Sequence, residues 1–388
     1  MRGLTKEIAM EIVRRTMHVI GYNVNVMDKR GRIIGSGDGK RLGQSHEGAL
    51  LAIERRGRFE IDQESAARLQ GVLPGTNLVI EFENEIVGVI GITGDPKEVT
   101  KYGELVKMTA EMYLEHMKLL EQAQWDKRMK ENFLLAVMNG AEANVQNLRH
   151  QAQQIDFQVD KPHIACIIEF IDRNEEELMV TMKRVADVLE GRPAVQLITI
   201  RNARQVILIK DHLHERKPHT DICEGIHQIR RWLDVKEISP LRIAVGKPFT
   251  GIQGMMKSIQ SAEDTMRAGY AIYPDEPVYY ATDLQLETMA VPSVQNWMSE
   301  ELLQLWAHFM EEDRSGELQQ TLVLFYLENG EQQHIAERLR IHRNTLRYRL
   351  QRITELTGKD PRNYQELFLL MSARWLYLLD HSGMSRDE

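Results

Sequence analysis

The sequence predicts an α+β multidomain chain: an N-terminal sensory α/β domain, a central sheet with helices on its faces, and an all-α C-terminal domain. Three observations carry this. At roughly 150 residues per domain, 388 residues amount to two or three domains. Hairpin signals, paired apolar runs around short polar turns, recur before residue 283. From Trp297 onward only helical periodicity remains. Composition narrows the class further. With 43% hydrophobic and 27% charged residues the chain is globular, not disordered. Its 49 Lys and Arg stand against 57 Asp and Glu, a net charge of −8. That excludes a uniformly basic nucleic-acid protein but not a locally basic element. Two cysteines, Cys166 and Cys223, exclude a disulfide framework. No apolar run approaches the ~18 residues of a membrane helix, and Met1 to Glu7 leads into an amphipathic segment without a signal-peptide core. A cytoplasmic protein away from membranes is expected.

Taken in order, Ile8, Ile12, Val13, Met17 and Ile20 follow a helical period over 4–20. Runs 24–27 and 32–36 flank Asp28-Lys29-Arg30-Gly31 as a hairpin. A helix follows near 47–55, then a second hairpin from 77–82 and 86–93, then a long helix from Glu98 to about Gln122. This is the order of a small antiparallel, PAS-like sensory sheet, assigned to 1–122. The helix continues with interruptions to Met138, so 123–160 is a helical linker whose helix either connects domains or packs in the ordinary way. Over 161–283 the order is βαββαβαβ, of the ferredoxin-like or nucleotide-cyclase-like class. Pro292 lies in a linker before the all-α domain at 295–388.

The strongest local signal runs from Gln333 to Leu350. Ile335, Ala336 and Leu339 form the inward face of one short helix, Arg340-Ile341-His342 a turn, and Leu346, Leu350 and Ile353 the buried stripe of a second. At 100° per residue Asn344, Tyr348 and Gln351 point away from that stripe, with Arg343 and Arg347 on its flank. This is a helix-turn-helix whose second helix enters the major groove of double-stranded DNA. Residues 338–352 hold six arginines and no acid. Arginine reads guanine bidentately and asparagine suits adenine. Base-edge roles therefore go to Arg343, Asn344 and Arg347, and phosphate roles to His342, Thr345 and Tyr348. Subtracting the six arginines leaves −14 on the remainder, a body that discourages non-specific adhesion to DNA.

Residues 341–350 with 353–358 resemble the C-terminal helix-turn-helix of PucR-type regulators. Asn25-Val26-Met27-Asp28, residues 31–38, His46-Glu47-Gly48-Ala49-Leu50, 86–94 and 101–106 resemble the sugar-diacid recognition domain. Together the chain resembles the carbohydrate (sugar) diacid regulator family nearly end to end, with a middle similar only in pattern to its degenerate GGDEF-like domain. The resemblance implies a transcriptional activator of glucarate, galactarate and glycerate utilisation genes. A hydroxy-acid effector needs cationic or N–H donors for its carboxylate and polar groups for its hydroxyls. Residues 35–48 supply these: Arg41 as carboxylate clamp, His46 as a donor to the same group, Ser36 for a hydroxyl, and glycines including Gly37 for a backbone nest. Asn77 and Asn25 are further polar candidates, whereas Gly88 and Gly91 serve backbone approach.

Catalysis is not expected. A cyclase-like domain carries Gly-Gly-Asp/Glu-Glu-Phe on its second hairpin, and here that hairpin is Arg201-Asn202-Ala203-Arg204. Asp172 is one carboxylate where two-metal chemistry wants more. Cys166 lies inside an apolar strand, and His212, His214 and His219 lack the ligands that complete a metal site. No cofactor is called for. The expected protein is a ligand-responsive, homo-oligomeric (homodimeric) DNA-binding regulator. The alternative is a signalling protein whose central domain binds or processes a nucleotide.

Overall fold

The structure is a computed structural model that describes residues 4–382 apart from 71, 141–144, 172–174, 193–194, 212–217, 235, 237, 239–240 and 295. Asp172, His212 and His214, and the side chain of His219, lie outside the described residues. The chain divides into two units, 1–127 and 128–388.

In the first unit, Thr5 caps α1 (Lys6–Ile20) by accepting from Ile8 N–H at 3.4 Å, and Gly21 closes it at φ +73°. There follow β1 (Val24–Met27), β2 (Ile33–Ser36), α2 (Glu47–Glu54), β3 (Arg58–Ile61), α3 (Gln63–Ala66), β4 (Gly75–Phe82) and β5 (Glu85–Thr93). They build one antiparallel sheet of order β2-β1-β5-β4-β3. Both expected hairpins form, while β3 and α3 escape the sequence reading. Arg58-Phe59-Glu60-Ile61 is an edge strand with only one fully buried side chain, so its apolar signal is weak. One sheet face buries Val24, Val26, Ile80, Ile90 and Ile92 against Ala9, Ile12 and Val13 of α1. The other buries Met27, Val79 and Val89 against Ala49 and Ala52 of α2.

α4 (Pro96–Met138) is one unbroken helix of 43 residues, without the interruptions expected beyond Gln122. Val99, Val106, Ala110 and Leu114 bury it against the first sheet. Phe133, Leu134 and Val137 at its far end belong to the second unit's core, with Leu148 and Ala152 of α5 (Val145–Gln154). The segment 123–160, expected as a linker, thus supplies core side chains.

The second unit continues with β6 (Pro162–Phe170), α6 (Glu175–Leu189), β7 (Leu197–Asn202), β8 (Gln205–Asp211), α7 (Pro218–Asp234), β9 (Leu241–Val245), β10 (Phe249–Thr250), α8 (Gly251–Ile272) and β11 (Val278–Tyr280). The sheet order is β11-β9-β6-β8-β7, with β10 also paired to β6. Central β6 reads as a continuous apolar run because both its faces are covered. Ala165 and Ile167 face α8, whereas Ile164, Cys166 and Ile168 face α6 and α7. Then come α9 (Gln285–Ala290), α10 (Trp297–Glu312), α11 (Glu317–Leu327), α12 (Gln332–Leu339), α13 (Arg343–Thr357) and α14 (Tyr364–His381). These helices are not a body apart from the sheet. Ile272 of α8 shares a core with Trp306, Leu346 and Trp375, and Ala268 packs with Leu379.

At Gly35 the backbone of β2 comes close to that of α1. A Cβ there would lie 2.7 Å from the Ala9 carbonyl carbon and 2.8 Å from its oxygen. Backbone cannot rotate away as a side chain can, so Gly35→Ala is expected to destabilise the first unit by about 2 kcal/mol or more. A urea titration measures this; an unchanged midpoint would contradict the contact.

Candidate ligand pocket and nucleic-acid interface

Register brings the polar candidates of the first unit together. Ser36 lies opposite Asn25, Asn25 opposite Gly91, Gly91 opposite Asn77 and Asn77 opposite Phe59. Residues directly opposite share a face, so Ser36, Asn25, Gly91, Asn77 and Phe59 form one row across all five strands. Its middle member has no side chain. A Cβ on Gly91 would come within 2.9 Å of Asn77 Oδ1, so the glycine leaves the space that this amide borders. Gly48 of α2 lies against the same group, with its Cβ position 3.1 Å from Asn77 Nδ2 and 3.2 Å from His46 Cε1. Asn25, Ser36, His46 and Asn77 are all buried.

Two kinds of role separate within this row. Ser36 donates to Asn25 Oδ1 at 2.6 Å and accepts from Asp38 N–H at 3.1 Å, so its hydroxyl is engaged by the protein. Asn77 Oδ1 is buried and accepts no hydrogen bond among the described residues. Such groups are rare in folded proteins because leaving one unmet costs ~1–3 kcal/mol. It stands ready for a hydroxyl or N–H of a ligand. Gly37 serves packing: a Cβ there would meet Met17 Sδ at 2.1 Å and Asn23 Oδ1 at 2.7 Å.

His46 is the N-cap of α2, its Nδ1 accepting from Ala49 N–H at 3.2 Å. Burial, and then the charge of Arg41, hold its pKa down at about 4. The ring is therefore neutral at pH 7, with Nδ1 occupied and the proton left on Nε2, where it can be donated to an anion. Arg41 ends the short 3-10 turn Gly39–Arg41, which Asp38 caps through Lys40 N–H at 3.0 Å. Its Nη1 is buried. One guanidinium, one neutral imidazole and carboxamides that accept as well as donate make a binding set for a small hydroxylated acid. The sequence reading included Gly48 in the segment 35–48 and gave Gly91 to backbone approach, without placing either against Asn77. The recurrence of glycine at 88 and 91 in an otherwise apolar strand is the available signal.

In the second unit α12 and α13 make the helix-turn-helix. Arg340 closes α12 in the left-handed region at φ +55°, and Ile341 N–H returns to Ala336 O at 3.0 Å. His342 is the N-cap of α13, its Nδ1 accepting from Asn344 N–H at 3.2 Å, an engagement its expected phosphate role did not include. Leu346, Leu350 and Ile353 are buried with Ile335 and Ala336. His342, Arg343, Asn344, Thr345, Arg347 and Tyr348 are all exposed, on the cap and first turns of α13.

The six arginines divide. Arg349 is mostly buried and paired with Glu317 at 2.8 Å, Arg338 pairs with Glu328, and Arg352 with Glu355 at 3.2 Å. The acids absent from 338–352 are brought from outside it. Arg343 donates to Gln333 Oε1 at 2.8 Å. Arg340 and Arg347 carry no protein partner among the described residues.

In the central sheet the hairpin 201–204 turns through Asn202 Oδ1, which accepts from Arg204 N–H at 2.9 Å, and Arg201 pairs with Glu263 of α8. Burial pushes the Cys166 thiol up to about 12, so it behaves as core rather than as a nucleophile.

The low pKa of His46 makes the first unit sensitive to acid. Between its ordinary 6.5 and about 4 the unfolded chain binds a proton that the folded chain refuses. The resulting stability is present above 6.5 and is lost as pH falls through that window. His46→Asn keeps an acceptor for the cap and is expected to flatten this dependence. Melting temperatures from pH 7 to pH 4 check it, and parallel curves for both proteins would refute the assignment.

Residues 4–137 match the sugar diacid recognition family, 139–268 the GGDEF-like domain and 318–374 the PucR C-terminal helix-turn-helix domain. The chain is similar to the carbohydrate diacid regulator of Escherichia coli, at 36% identity over 377 residues, covering 95% of this chain and 97% of that protein. An uncharacterized protein of Haemophilus influenzae is 32% identical over 358 residues, covering 92% and 94%. The purine catabolism regulatory protein of Bacillus subtilis is 22% identical over 264 residues, covering 64% and 49%. With a sugar diacid recognition domain at one end and a PucR-type helix-turn-helix at the other, the chain belongs to the carbohydrate diacid regulator family of transcription regulators.

Proposed function

We propose that this protein is a transcriptional activator of sugar-diacid utilisation genes whose effector is glucarate, galactarate or glycerate. The effector binds among Arg41, His46, Asn77 and Asn25, and a homodimer reads a DNA operator through Arg343, Asn344 and Arg347. His342, Thr345 and Tyr348 sit where the phosphate backbone passes. The buried, unmet Asn77 Oδ1 beside a neutral His46 and the Arg41 charge carries the ligand half of this reading. The strand order β2-β1-β5-β4-β3 supports a PAS-like sensor. No cofactor enters the scheme, and the protein works in the cytoplasm. No helix of the described residues is long and apolar enough to cross a membrane.

Arg41 holds one carboxylate by charge-assisted hydrogen bonds, His46 Nε2–H donates to the same group, and Asn77 Oδ1 accepts from a ligand hydroxyl. Ser36 acts mainly by fixing the Asn25 amide. Effector binding shifts the dimer between arrangements only by its differential affinity for them. The arrangement favoured sets the spacing of the two α13 helices on the operator. A nucleotide-processing central domain is the weaker reading, since Arg201 of the hairpin is tied to Glu263.

Two substitutions separate the halves. Arg347→Ala is expected to weaken operator binding by about tenfold or more, the ~1–3 kcal/mol of a bidentate base contact. It should leave the effector-induced thermal shift intact, and loss of both together would point to unfolding instead. Arg41→Ala should abolish the thermal shift given by glucarate, galactarate and glycerate in the parent. A shift of undiminished size would send the carboxylate to another residue.

A further inference from the structure

We infer that the outer face of α4 is a subunit interface, packed against the same face of a second copy of this chain. The inference deepens the homodimer of the proposed function and rests on that reading. α4 is apolar on two sides. Val99, Val106, Ala110 and Leu114 are spent on the sheet of the first unit. On the opposite side Leu105, Met108, Met112 and Leu119 stand 54%, 52%, 61% and 63% exposed, with Trp125 further along at 53%. Four large apolar side chains in line on one helix exceed what scattered surface apolarity explains.

Their spacing identifies the occupant. Leu105, Met112 and Leu119 recur at intervals of seven residues, with Met108 in the intervening position. On a straight helix a seven-residue repeat drifts by ~20° each time, so it stays on one seam only if the helix winds about another helix. A loop or a sheet partner imposes no such period. A second copy meets the period automatically, because a twofold axis presents the same stripe on both sides of the interface. The residues beside the stripe, among them Glu104, Lys118 and Glu121, are of both signs. That mixture suits a helix pair and lacks the basic face with which a helix lies on an anionic lipid surface.

The seam is short: fourteen residues from Leu105 to Leu119 span ~21 Å. A free peptide of that length would hardly pair, since forming the helix consumes most of the gain. Here the inner face of α4 is already bound to its sheet, so the helix is ordered before the partner arrives and association loses only rigid-body freedom. Glu115 and Gln122, which continue the position of Met108, limit the apolar contact to Leu105, Met108, Met112 and Leu119.

The full-length protein at about 10 μM is expected to sediment at twice its 44.9 kDa chain mass. Leu105→Glu with Met112→Glu and Leu119→Glu should return it to the single mass. All three sites are exposed, so the melting curve and far-UV spectrum should hold. As a second route, Met112→Cys should be captured across subunits by a short bismaleimide that leaves the parent unlinked. A monomeric parent, a charged variant that keeps the double mass, or absence of Met112→Cys cross-links would each overturn the interface. The thermal shift with the three acids is read on the same samples. A dimeric parent that loses its double mass on charging, yet shifts with none of the acids, sinks the effector reading while leaving the interface in place.

Discussion

In the first unit one missing side chain keeps a row of buried polar groups open across the sheet. Gly91 lies in central β5, between Asn25 on β1 and Asn77 on β4. Any other residue there would drive a Cβ into the Asn77 amide. With the glycine in place, a row of polar groups crosses the sheet without being filled by its own core. His46 meets it from α2, held neutral by burial and by Arg41. A second cation there would leave two buried like charges to be stabilised before any ligand came. A neutral imidazole avoids that cost and keeps an N–H on Nε2.

The same economy governs the DNA-reading face. Arginines are useful on α13 only if some of them are not tied to the protein. Glu317 on α11 and Glu328 just after it take Arg349 and Arg338, and Glu355 takes Arg352. Arg349–Glu317 ties α13 to α11, Arg338–Glu328 ties α12 to the end of α11, and Arg352–Glu355 lies within α13, which leaves Arg340, Arg343 and Arg347 to face outward. Arg343 is preset by Gln333 of α12, so the two helices of the motif share one oriented guanidinium. The net charge of −8 conceals this division, because the paired arginines and their carboxylates cancel locally.

α4 joins the two units as one continuous helix, with a core at each end. Val106 and Ala110 belong to the first sheet, Phe133 and Leu134 to the second. Between them the helix has little packing of its own, for residues 119–126 are exposed throughout. The later half of α4 holds no glycine or proline, so its backbone hydrogen-bond ladder runs without a breaker. In the second unit, the core shared by Ile272 and Trp375 ties the DNA-reading helices to the sheet domain that α4 enters.

The sequence by itself determined the local things: where helices and hairpins form, which face of α13 is buried, and the family to which the two ends belong. Periodicity acts over a few residues, so Ile8, Ile12 and Val13 mark α1 and Leu346, Leu350 and Ile353 mark α13 without knowledge of the rest. Edge strand β3 was invisible for the same reason, since half of its side chains face solvent and its run is four residues long. Only the tertiary structure decided that Asn25, Gly91 and Asn77 stand in one row, that Ser36 is engaged by Asn25, and that Gly37 packs against Met17. Only it decided which arginines are neutralised, because Glu317 lies thirty-two positions from Arg349 in the chain and 2.8 Å away in space. Strand register and long-range ion pairs are set by how whole elements pack, and no window of neighbouring residues contains that information.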